Sequence, residues 1–259
     1  MTTDSGAFLT ALRLSDSFLP VGGYTASYGL EQYINEDRIT DADELQALLE
    51  AYLRRIVGPC ETVALANAHA ASADRNLDRL LGVDERLHAV TMPREFRESS
   101  TKAGAKLCEL LVDLDRDPTH ATAIDADSAD AVSTDGGPAE ESPAAAFEAD
   151  VADAIDTGST PGHYPVVFGV VAEARGLSRL DACLAYGYSF VTGLLGAAQR
   201  LGRFGHTEIQ RVLEALQPVL TETCERHVDD DVTAMASFAP LAEIMGMRHE
   251  RAGRRLFMS

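Results

Sequence analysis

The chain carries many residues that chemistry could use, but not in the spacings that a catalytic set requires. Its seven histidines are scattered, and His249-Glu250 lacks the second histidine of an H-E-x-x-H zinc site. There is no G-x-x-x-x-G-K-[ST] phosphate loop, so GTP or ATP hydrolysis by that route is excluded. Neither a G-x-S-x-G nucleophile elbow nor a G-x-G-x-x-G dinucleotide loop occurs. Cys60, Cys108, Cys183 and Cys224 stand far apart without a C-x-x-C pair, which reads as buried structural thiols rather than a metal cluster or disulfide framework. No catalytic, cofactor or metal residue is therefore expected, and the chain reads as a binding protein rather than an enzyme.

Three segments are nevertheless specific in composition. Ser15 to Tyr33 reads SDSFLPVGGYTASYGLEQY. Pro20 and Gly22-Gly23 predict a turn, with a helix starting near Tyr24, so that Tyr24 and Tyr28, like Ser27 and Glu31, stand one helical turn apart. Gly162 to Gly169 reads GHYPVVFG, where Pro165 suits a helix's first turn and His163 suits a local hydrogen bond better than ligation. From Gly246 to Ser259 the chain holds Arg248, Arg251, Arg254 and Arg255 against Glu250 alone, with Leu256-Phe257 as an apolar anchor. A basic end on an acidic protein can fold back onto its own surface. It can equally present arginine and aromatic side chains to another chain, and both readings stand at this level.

The elements that position these segments are helical. Leu45, Leu48, Leu49, Tyr52, Leu53 and Ile56 recur at three and four, with Asp41 as cap and Gly58-Pro59 as the expected stop. An alanine-rich helix is expected from Pro59 to Ala73, and another from Pro93 to Leu114 with Phe96, Leu107, Leu110, Leu111 and Leu114 inward. Ser178 and Asp181 resemble a capping box before a helix reaching Leu201, and Thr207 with Gln210 predicts a second box. Strand and hairpin signals are scarce. The expected fold is all-α, one helical bundle of about ten helices. Ala182 to Gln199 is uncharged, yet Gly187, Ser189, Thr192, Gly193, Gly196 and Gln199 keep it too polar for a membrane span. Ser189, Gly193, Gly196 and Ala197 share one face, where another helix could approach closely.

The charge is uneven. The chain holds 41 acidic against 22 basic residues, a net of −19, and residues 113 to 160 carry 13 acidic groups with Arg116 as the one base. The surplus repels nucleic acid and suits a high-salt cytosol. About 115–160 is rich in Asp, Ala, Ser, Thr, Gly and Pro, and is expected as an acidic, disordered insertion with a short helix near Ala144 to Ile155. Met1 to Gly6 has no secretory pattern, so a cytoplasmic location is expected.

Ordered along the chain, these motifs resemble the urease accessory protein UreF family. Leu19-Pro20-Val21-Gly22-Gly23-Tyr24 through Ser27-Tyr28-Gly29-Leu30-Glu31 matches its opening pattern. Arg94-Glu95 and Ser99 ahead of Gly104 follow, then His163 to Gly169 and Ser189-Phe190 leading to Ala197-Ala198. Arg200-Leu201-Gly202 with Gly205-His206-Thr207, Ser237 to Pro240, Met247 to Glu250 and Arg255 to Ser259 complete the series. Thr25, Arg203-Phe204 and His206 depart from the family's usual residues. The resemblance implies a 1–259 all-α domain interrupted by the insertion, ending in a basic partner-binding tail at 246–259. It implies a homodimer that binds UreD (UreH), recruits the GTPase UreG and docks on apo-urease for GTP-dependent nickel insertion. In such a family the tail gains order on meeting UreD. Tyr24, Tyr28, Glu31, Arg248, His249, Glu250, Arg255, Leu256 and Phe257 are the expected partner-binding residues, and His163 and Tyr164 are expected to be structural. Two rival readings are a GTPase activator supplying Arg248 or Arg255 in trans, and a nickel chaperone using Met247, His249 or a cysteine.

Overall fold

The computed structural model describes residues 5–21, 27–116, 142–253 and 256–257, the side chains of 111–116 excepted. Its elements are α1 (Ser5–Ser15), α2 (Leu30–Asn35), α3 (Ala42–Tyr52), α4 (Val63–Ala73), α5 (Leu77–Val90), α6 (Arg94–Arg116), α7 (Pro143–Asp156), α8 (Tyr164–Ala174), α9 (Arg179–Arg200), α10 (His206–His227) and α11 (Pro240–His249). A short 3-10 turn spans Val232–Ala234. The all-α expectation holds, and no strand occurs among the described residues.

Asp41 caps α3 by accepting the Glu44 N–H, as its sequence position requires. Gly58-Pro59, however, does not end the helix. Leu53–Thr62 is π-helical and joins α3 to α4 as one rod with Pro59 inside it. Proline has no N–H to give to the helix ladder. Around it, Arg55 O accepts the Phe238 N–H and Pro59 O accepts the Ala236 N–H. A loop distant in sequence thus braces the rod at the proline. Gly58 is required on the opposite side, because a Cβ there would lie 2.5 Å from Thr223 Cγ2 of α10.

Two other helix starts differ from expectation. The box before α10 begins two residues early: Glu208 accepts the Gly205 N–H, whereas Ser178 caps α9 through the Asp181 N–H as expected. Near the N-terminus the described helix begins at Leu30, not near Tyr24. Tyr28 (φ 47°) and Gly29 (φ 78°) both take left-handed conformations, so Ser27 and Glu31 do not share a helical turn. Tyr24 lies outside the described residues.

The core centres on α4 and α8, which pack so closely that a Cβ on Gly169 would sit 2.6 Å from Leu65 O. Leu45, Leu49, Tyr52, Leu65, Phe168, Leu194, Leu195 and Leu216 are fully buried around this pair. Phe96 and Leu107 of α6 face inward as expected and Leu110 is partly buried, while Leu111 and Leu114 have no described side chains. A second cluster joins α4, α5 and α8 to Phe147 and Val151 of α7. Residues 142–160 therefore belong to the packed body, not to a solvated insertion. The apolar i, i+4 pair Phe147 and Val151 gives α7 a buried face despite its acidic context. Cys60, Cys183 and Cys224 are buried free thiols and Cys108 is partly buried. Among the described residues no helix is long and apolar enough to cross a membrane.

Candidate functional site

The C-terminal segment folds back onto the body, and a buried carboxylate receives it. Glu31, in the first turn of α2, is 3% exposed. Its Oε1 and Oε2 accept the Leu256 N–H at 2.9 and 3.1 Å, and Oε2 also accepts the Phe257 N–H at 3.1 Å. His249, fully buried at the end of α11, places Nε2 3.0 Å from Glu31 Oε2 and Nδ1 2.8 Å from Glu95 Oε2. An ionised carboxylate only accepts, so each ring nitrogen that carries a proton can donate to the carboxylate facing it. Glu250 completes the set: its Oε1 accepts the Glu95 N–H at 3.1 Å, satisfying one orphan donor in the first turn of α6.

Apolar contacts close the clamp. Phe257 is 9% exposed, with the Arg200 guanidinium 5.0 Å from its ring centroid, inside cation–π range. Leu256 stays 77% exposed. Arg248 reaches Glu36 at 2.9 Å on the surface. The small residues follow from the crowding: a Cβ on Gly29 would meet Gly246 N at 3.0 Å, and one on Gly246 would meet Phe96 at 2.8 Å.

Sequence reading thus picked out Glu31, His249, Glu250, Leu256 and Phe257, and the structure brings these five together with Glu95 and Arg200, which it missed. Glu95 carried a motif match but no polar periodicity that would set it apart. Tyr28 lies beside the clamp rather than in it, its ring 4.9 Å from Phe96 and 4.8 Å from Phe190. Arg255 lies outside the described residues. Of the two readings of the basic end, fold-back is the one the described residues adopt.

His163 is structural, as expected. Its N–H donates to Asp84 Oδ1 at 3.0 Å, beside Thr160 Oγ1 and Gly162 N, both 2.6 Å from Oδ2. Its Nε2 pairs with His88 Nδ1 at 3.0 Å. Burial pushes the His163 imidazole down to about 4 against the pull of the Asp84 charge. Tyr164 packs against Phe168 and Tyr186, and burial raises its hydroxyl.

The arrangement can hold a peptide segment but has no nucleophile to activate. Burial raises all four thiols, those of Cys108 and Cys224 to about 12, which removes thiolate character. Both His249 nitrogens are committed to carboxylates, and among the described residues no group of three or more His, Cys, Asp or Glu could hold a metal.

Comparison with known proteins agrees with the motif order. The UreF family model matches residues 39–217. A urease accessory protein UreF from Trichodesmium erythraeum (strain IMS101) is 28% identical over 257 residues, covering 99% of each chain. One from Actinobacillus pleuropneumoniae is 26% identical, covering 96% of this chain and 97% of its own. A urease accessory protein UreF 1 from Brucella melitensis biotype 1 is 27% identical, covering 97% and 92%. The alignment with the Trichodesmium protein spans both halves of the tail clamp, of which the family model's span includes Glu95 and Arg200. With most of its length matched, this chain belongs to the UreF family.

Proposed function

We propose that the protein is a urease accessory factor that acts by docking, not catalysis. In this reading it binds UreD, and the complex recruits the GTPase UreG for nickel insertion into apo-urease in the cytoplasm. The observation that carries it is the clamp. Glu31, Glu95 and His249 fix the C-terminal segment in one shape, while Phe238, Leu241, Ile244 and Leu256, on or flanking that segment, remain 70, 48, 47 and 77% exposed. A rigid support that presents apolar side chains lowers the ordering cost a partner must meet. Tyr24 and Arg255 belong to the same proposed surface by sequence position, and Arg248 and Glu250 border it.

A homodimer fits a second surface. A groove of about 1200 Å³ runs between α1 and α9, lined by Phe8, Leu12, Tyr188, Gly193 and Gly196. A Cβ on Gly196 would touch nothing, so the small-residue face of α9 opens outward there, while Ala197 turns into the core. The net charge of −19 suits the salt-rich cytosol proposed with it.

Co-purification with UreD and UreG tests the docking reading. Leu241→Asp and Ile244→Asp, exposed and thus tolerated by the fold, are expected to abolish capture of UreD. Undiminished capture by both variants, and by a chain ending at Gly246, would refute the role of this end. Gly196→Leu should fold normally and elute as a monomer if the second copy seats in the groove.

A further inference from the structure

Arg200 stands where the tail clamp and the α1–α9 groove meet. It is the last residue of α9, is exposed, and lays its guanidinium 5.0 Å from the centroid of the Phe257 ring that anchors the tail. The same side chain lines the groove, at the end of α9 opposite Asp181. Gly193, Gly196 and Arg200 follow one another at three and four, so they form one strip along the helix. One arginine therefore borders both surfaces.

The charge around the groove fits it to a second copy of this chain. The protein carries a net charge of −19, yet α1 holds no acidic residue, and the charged residues lining the groove are Asp16, Asp181 and Arg200. Two copies of an acidic protein repel one another least across such a face. A two-fold contact uses the same patch on both copies, so it brings arginine and acid of each groove together rather than acids alone. Phe8 and Leu12, one turn apart on α1, are 54 and 53% exposed and supply apolar area to it. At about 1200 Å³ the groove is larger than most small-molecule pockets and suits a helix face.

We propose that Arg200 couples the two surfaces, so that seating of the tail and arrival of the second copy favour each other. A cation–π contact is weak in water and strengthens when the cation loses its water. A copy seated in the groove desolvates the Arg200 guanidinium and tightens its hold on Phe257. Glu31 holds the N–H groups of Leu256 and Phe257, so a firmer grip on the ring protects both. In the other direction, a seated Phe257 fixes the arginine at the rim of the groove and reduces the side-chain freedom lost on association. These are one coupling free energy seen from its two sides.

The coupling rests on the homodimer reading above, and its test separates the two. Sedimentation fixes the monomer–dimer equilibrium, and hydrogen–deuterium exchange of residues 249–257 is measured at concentrations on either side of it. Tail protection in the wild type is expected to be about fivefold or more higher in the dimer. Arg200→Gln should abolish that difference and weaken association by the same factor. A chain ending at Gly253 keeps α11 and His249 but loses Phe257, and it should also associate about fivefold more weakly. Gly196→Leu, expected as a monomer, should show the lower tail protection at every concentration. Equal protection in wild-type monomer and dimer overturns the coupling, as does a difference that persists in Arg200→Gln, or wild-type association by the shortened chain. A wild-type chain that sediments as a monomer throughout refutes the dimer reading itself, and the coupling with it.

Discussion

Two buried carboxylates do the same thing at two places in the fold with different consequences. Asp84 accepts the N–H groups of Gly162 and His163 together with the Thr160 hydroxyl. Glu31 accepts the N–H groups of Leu256 and Phe257 and pairs with His249. Each ties a segment distant in sequence to a helix by charge-assisted bonds, the strong kind. The Asp84 segment continues into α8, whose residues from Pro165 to Ala172 are all buried, and is preceded by α7 with Phe147 and Val151 in the core. The Glu31 segment has one further apolar anchor, Phe257. The same chemistry is a permanent strut where core packing grips both flanks, and a releasable clamp where one aromatic side chain does. Local stability follows the buried contacts around a bond more than the bond itself.

Breaking the strut should cost most. Asp84→Ala leaves three buried donors unsatisfied, and about 3 kcal/mol or more of global stability is expected to be lost, read as a lower denaturation midpoint. A loss confined to residues 160–163 without a change in the midpoint would show that the two clamps are alike after all.

Proton linkage adds a further contrast, between the strut and Glu61, a buried carboxyl of the π-helical segment that accepts the Tyr186 hydroxyl at 3.0 Å, for the two respond with opposite sign. His163, depressed to about 4, is neutral when folded, so its contribution is complete above about 6.5 and falls as pH drops toward 4. Glu61, raised to about 7, contributes fully below about 4.5 and loses that contribution as pH rises through 7. The two slopes oppose each other between about 4.5 and 6.5 in the wild type. Glu61→Gln should remove one of them, leaving stability that rises with pH over that interval by on the order of 3 kcal/mol. Denaturant titrations at several pH values measure it; an unchanged profile would contradict the burial of both groups.

Opening the clamp should cost the fold little. Glu31→Gln is expected to change global stability by about 1 kcal/mol, yet raise exchange of the 249–257 segment toward the unprotected rate and expose Arg251 to trypsin. Phe257→Ala should have the same local effect: a nearly buried aromatic ring and its cation–π contact with Arg200 are lost, and the change is read as faster exchange of the 249–257 segment. Arg248→Ala is the control. Its surface pair with Glu36 is half exposed and screened, so stability should stay within about 0.5 kcal/mol and tail protection should not change.

Much of this was legible in the residues themselves. The all-α class, the Asp41 and Ser178 caps and the α9 helix follow from local patterns of apolar spacing and side-chain oxygens, which act within a few residues and so survive in the sequence. The importance of Glu31, His249, Glu250, Leu256 and Phe257 was legible as motif, though not as mutual contact. Where sequence reading failed, a distant partner decided. Pro59 stays inside a helix that residues 236–238 brace through the Pro59 and Arg55 carbonyls, and Glu208 rather than Gln210 closes the cap of α10. An acidic stretch from 142 to 160 is packed because α5 and α8 offer its few apolar side chains a face. Glu95 and Glu61 became visible only with the fold, since a carboxylate's role depends on which donors surround it, and those come from helices that tertiary packing alone assembles.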